Sequence, residues 1–251
     1  MPIHYLRGFT KPERTDEANR RLGRLLAFVA GATNAGGFLV VGQYTSHMSG
    51  TVSSLADDLA LGSFNLLWTS LASLASFICG AATSAVLINW GRHRTLRSHY
   101  ALPLALEAAL LLFFGFLGSN LEQHRVLFVP ATVVLLCFVM GLQNATITKI
   151  SKAEIRTTHV TGLVTDIGIE IGRFFYSIGP GNGPLKHAGF VRCDWQRLTL
   201  LASLLACFVA GGLAGAIGFK HVGFVATVPL ATLLIALAAV PLVDDMLGQQ
   251  R

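Results

Sequence analysis

FVAGATNA at residues 28–35 and FVMGLQNA at residues 138–145 share five of eight residues in place: Phe, Val, Gly, Asn and Ala. A second pair follows at nearly the same offset. TSHMSGTVSSLADD (residues 45–58) aligns with TTHVTGLVTDIGIE (residues 157–170); Thr, His, Gly and Val are identical, and Ser faces Thr at three further positions. FICGAATSAV (residues 77–86) and FVAGGLAGAI (residues 208–217) form a weaker third match. Three matches in one order define an internal duplication, and duplicated halves are a common construction of membrane transporters.

Composition places both copies in a bilayer. Only 13% of the 251 residues are charged and 53% are hydrophobic, whereas soluble domains carry about 25% charge. Too few charges remain to coat a water-facing surface. The mean hydropathy is +0.59. Six apolar runs, at residues 22–42, 66–90, 100–118, 126–148, 198–219 and 222–243, approach or reach the roughly 20 residues that cross a membrane. The basic N-terminal segment lacks the apolar core and small-residue cleavage site of a secretory signal and reads as a cytoplasmic tail. The net charge of +6 fits loops that face a cytoplasm and anionic lipid, and nothing in the chain suggests a nucleic-acid partner. Cys79, Cys137 and Cys207 lie inside apolar runs and no CxxC spacing exists, so no metal, disulfide framework or other cofactor is expected.

Charges in the short loops set the orientation. The tail holds six Lys and Arg, the loop after the second run carries Arg92, Arg94 and Arg97, and KISKAEIR carries Lys149, Lys152 and Arg156. Lys186, Arg192 and Arg197 precede the fifth run, while the other loops are poor in cations. If the polar stretches at residues 45–62 and 157–176 do not cross, all rich loops and both termini fall inside. The expected fold is therefore all-α and polytopic, with six transmembrane helices in two inverted three-helix repeats, each holding a short polar broken or re-entrant helix. The divisions are a basic tail at residues 1–22, repeats at 23–120 and 121–244, and a short tail at 245–251.

The polar stretches are the expected site. An ionised residue at the bilayer centre costs roughly 3 kcal/mol on insertion scales, so such segments survive only where protein or water surrounds them. His159, Gly162, Asp166, Glu170 and Arg173 step by three or four and form one helical stripe, which faces a cavity or a partner stripe. In the first copy the same register holds His47, Gly50, Ser54 and Asp58. Candidate substrate- or proton-binding residues are Asn34, His47, Ser49, Asp58, Asn144, His159, Thr161, Asp166 and Glu170. Each also has a bland reading: the histidines and asparagines as interhelical hydrogen-bonding glue, Glu170 with Arg173 as an i,i+3 pair, and Asp57 as a solvated rim residue. Glu107, inside the third run, is costly unless paired or protonated. The GPGNGP stretch at residues 179–184 is a turn-rich loop, since no GK[ST] follows and no strand precedes it.

IRTTHVTGLVTDIG at residues 155–168, with SHMSGT at residues 46–51, resembles the YoaK-like family of bacterial integral membrane proteins. The resemblance runs over residues 22–243 and is most specific in the Thr-His-x-Thr-Gly element; Thr51 stands where relatives often carry Asn. It implies a multi-pass protein of the bacterial inner membrane, of permease type, and supplies no catalytic residues.

The function expected is small-molecule transport, with proton coupling an option because histidine and desolvated carboxylates can bind and release protons. A channel, an intramembrane enzyme and a non-catalytic assembly protein stand as alternatives. Against an enzyme, no GxSxG or HExxH signature is present. The partners expected are the lipid bilayer and one small molecule of unstated identity; a homo-oligomer is left open.

Overall fold

A computed structural model describes residues 15–94, 96, 98–118, 125–151, 154–178 and 192–248. Most of the basic tail, Arg97, Lys152, the GPGNGP stretch and Lys186 lie outside the described residues. Among those described, the chain is helical with no strand: α1 (Asp16–Val41), α2 (Met48–Ala60), α3 (Phe64–His93), α4 (Ala101–Gly118), α5 (Arg125–Ile150), α6 (Val160–Ile178), α7 (Trp195–Val222) and α8 (Thr227–Gly248), with a 3-10 turn (Gly223–Ala226) before the last.

The ends follow local chemistry. Thr15 caps α1, its hydroxyl oxygen accepting from the Ala18 amide at 3.3 Å, and Asp16 and Glu17 sit where the helix dipole favours anions. Gly42 ends α1 in the left-handed region (φ 76°), and its amide closes on the Phe38 carbonyl at 2.8 Å. Asp194 caps α7, accepting from the Arg197 amide at 3.0 Å.

Among the described residues, five helical stretches are long and apolar enough to cross a membrane: Asp16–Val41, Phe64–His93, Ala101–Gly118, Val129–Ile150 and Trp195–Ala239. The last runs through α7 and the 3-10 turn into α8. The short α2 and α6 are not among them. The outer surface is apolar, with Ile78, Val86, Phe116, Leu213 and Ile217 all exposed, as lipid-facing side chains are. Trp68 and Trp90, both exposed on α3, stand about 33 Å apart along its axis, close to the thickness of a hydrocarbon core. The protein is thus a multi-pass membrane protein.

Helix pairing is selective. α1 packs along α7, α3 along α5, and α4 along α8. α2 lies on α3, and α6 on α7. The closest crossings reuse one device. A Cβ on Gly31 would overlap the Phe208 carbonyl oxygen, and one on Gly211 would overlap that of Phe28. Likewise a Cβ on Gly80 would overlap the Phe138 carbonyl, and one on Gly141 that of Phe77. Each Phe-x-x-Gly segment therefore gives a backbone surface to its partner's Phe-x-x-Gly. Backbone approach of this kind supplies the van der Waals contact and Cα–H···O bonding that hold helices together where lipid removes the hydrophobic drive.

The crossings set a stability prediction. Gly141→Val or Gly31→Val must push two backbones apart, costing about 1–3 kcal/mol or more by overpacking. Gly168→Ala meets nothing within 4 Å and should be neutral or mildly stabilising, since Ala exceeds Gly in helix propensity. Thermal unfolding in detergent, followed by size-exclusion chromatography, separates the two classes.

Candidate functional site

An open cavity of about 990 Å³ lies among α1, α3, α5 and α7, bordered by the starts of α2 and α6. It gathers Asn34, His47, Ser49, Asn144, His159 and Thr161, six of the residues expected from sequence. They form three pairs that occupy matching places in the similar stretches of sequence: Asn34 with Asn144, His47 with His159, and Ser49 with Thr161. Phe77 and Phe208, from the third repeated stretch, supply apolar wall.

The asparagines organise the breaks that precede α2 and α6. Asn34 Oδ1 accepts from the Ser46 amide at 3.2 Å. Asn144 Oδ1 accepts from the Thr158 hydroxyl at 2.8 Å, and its Nδ2 donates to the Met140 carbonyl at 2.8 Å. Each carboxamide thus reaches from a long helix to the residue before a histidine, holding that backbone open beside the cavity. One residue earlier, Thr45 and Thr157 are buried, with hydroxyl oxygens that have no hydrogen-bond partner among the described residues. The histidine rings lie over Gly50 and Gly162, where a Cβ would overlap the imidazole. Glycine at these two places keeps the rings against the helix start.

Two smaller cavities flank the main one. One, of about 610 Å³, shares His159 and Arg156 with it and is lined by Arg20, Glu154, Asp166, Asp194 and Arg197. The other, of about 270 Å³, shares Tyr44 and His47 and is lined by Thr45, Thr51, Ser54, Ser70 and Ser73. One flank is ionic and the other hydroxylic; Asp166 lines the first, and Ser54, at the matching place in the sequence, lines the second. A histidine stands at each junction.

The three carboxylates expected at the site lie away from the main cavity. Asp166 faces the ionic flank and pairs with Arg197 at 3.0 Å. Glu170, 1% exposed, accepts from Arg173 at 2.6 Å and from the Asp194 amide at 2.9 Å. It clasps α6 to the start of α7. Asp58 accepts from the Ser70 hydroxyl at 3.3 Å, linking α2 to α3. The stripe from His159 to Arg173 therefore turns toward α7 and the ionic flank, and only its first residue touches the main cavity. Asp57 is exposed. Glu107 is buried against Gln143, whose Nε2 donates to Oε1 at 2.8 Å, apart from all three cavities.

Arg156 and Tyr44 line the cavity without being among the residues expected there. Arg156 reads in sequence only as a loop charge, its signal being its place three residues before His159; Tyr44 lies just outside the matched stretch.

Fold and lipid-facing surface together define a multi-pass helical membrane protein. The chain belongs to the family described as "Protein of unknown function (DUF1275)", which matches residues 22–240. It is similar to the UPF0700 transmembrane protein YoaK of Bacillus subtilis (strain 168), with 29% identity over 156 residues that cover 61% of this chain and 67% of YoaK. No solved structure matches.

The clasp at Glu170 gives a second prediction. Glu170→Ala leaves the Asp194 amide without its acceptor and removes the partner of Arg173, for a cost of about 1–3 kcal/mol. Asp58→Ala removes one long bond from a hydroxyl and should cost less than about 1 kcal/mol. Paired thermal melts of the purified variants measure the difference.

Proposed function

We propose that the protein is a small-molecule transporter of the bacterial inner membrane, built from two inverted repeats that alternate access to the main cavity. One observation carries the reading: both copies contribute the same triplet of Asn, His and hydroxyl to a single cavity, and each histidine also borders a separate flank. The packing supports a two-fold relation between the repeats: α1 on α7 and α3 on α5 exchange under the sequence correspondence, while α4 and α8 pair with each other. A two-fold in the membrane plane or along its normal produces such an exchange; the cation-rich loops favour the in-plane axis of inverted-repeat transporters.

In this reading six helices cross, α2 and α6 enter from opposite faces, and both termini are cytoplasmic. The ionic flank then opens inward and the hydroxylic flank outward. Rocking of one pair of helices against the other opens one flank while closing the other. His47 and His159 border the passages and can take up or release a proton during the cycle. The chain performs no covalent chemistry in this scheme.

Reconstitution into proteoliposomes tests it. Gradient-driven accumulation of a solute, lost in His159→Ala and in Asn144→Ala, is the expected result, with accumulation responding to an imposed pH gradient if protons are coupled. Dissipative flux would make the protein a channel, and turnover of a substrate in detergent would make it an enzyme. Orientation is tested separately. Single cysteines at Arg94 and Lys149, in a background without native cysteines, should resist an impermeant thiol reagent added from the periplasm. Labelling of either residue would overturn the inverted arrangement.

A further inference from the structure

We propose that the main cavity binds an organic monoanion, with an acidic head held at Arg156 and an apolar body against Phe77 and Phe208. Binding does not depend on the transport reading, which says only what the bound anion is for.

Charge pairing around the cavity carries the argument. Four ionic side chains of the adjoining flank are matched: Arg20 with Glu154 at 3.9 Å, and Arg197 with Asp166 at 3.0 Å. Asp194 is engaged as the cap of α7. Arg156, an exposed residue, lines both cavities and makes no ion pair or side-chain hydrogen bond among the described residues. The lining of the main cavity includes no carboxylate. A cation entering it would meet an arginine and no counter-charge, while an anion would complete a pair with a guanidinium that can grip a carboxylate in two places.

The ends of the short helices act in the same direction. Met48 and Ser49 open α2 at the cavity wall, and Val160 and Thr161 open α6 there. First-turn amides have no intrahelical acceptor and carry the positive end of the dipole. His47 offers α2 no side-chain cap. Two such ends and one arginine suit one negative charge on a ligand. The lining is predominantly apolar, which a bare inorganic ion would leave unused and an organic body would fill.

The test uses the full chain in detergent and in proteoliposomes, with sodium benzoate, sodium acetate, choline chloride and glycerol as probes. Calorimetry and thermal shift should show binding of benzoate, weaker binding of acetate, and none of choline. Arg156→Gln should weaken benzoate binding about tenfold or more, the scale of a lost charge-assisted contact, while Arg156→Lys keeps most of it. Wild-type affinity in a folded Arg156→Gln protein would overturn the proposal. So would failure of benzoate and acetate to bind, whether or not choline or glycerol is transported; transport of either in that case would leave the transport reading standing. Benzoate bound without flux of any probe would support the anion site and count against transport.

Discussion

Helices in lipid gain little from burying leucine, so they must meet through their backbones. Here that requirement falls on four glycines, Gly31, Gly80, Gly141 and Gly211, each pressed against a phenylalanine carbonyl of a neighbouring helix. The two crossings they form bring Phe77 and Phe208 to the cavity wall beside Asn34 and Asn144. The cavity is consequently a by-product of tight packing a turn away. Backbones that touch at the glycines must part next to them, and polar residues occupy the gap. Any change that widens the crossings also changes the shape of the site.

The asparagines show how a polar site is kept at low cost inside a membrane. A carboxamide facing lipid would be penalised, yet each one here satisfies the backbone or hydroxyl of a chain break. Asn34 and Asn144 thus have a structural part, since the hydrogen bonds that pin the breaks also hold the histidines beside the cavity.

Much of this was legible in the sequence, and the exceptions have physical reasons. Long apolar runs and matched stretches are insensitive to folding detail, so the helical class and the gathering of His47 with His159 could be read directly. Periodicity gave the stripe from His159 to Arg173, but a period states which residues share a face and not what that face meets. Asp166 and Glu170 accordingly point toward α7. Arg156 could not be found by pattern, because a charge beside an apolar run looks the same whether it snorkels to water or turns into a cavity. The selective pairing of α1 with α7 and α3 with α5 spans long separations in the chain, and local sequence carries no trace of it.

The two short helices are latched unequally. α6 is held by a buried carboxylate gripping both a guanidinium and a backbone amide, while α2 rests on one hydroxyl bond between Asp58 and Ser70. Freeing α6 would strand a guanidinium and a backbone amide together, whereas freeing α2 strands one hydroxyl. Two stretches alike in sequence are thereby fastened by unlike chemistry.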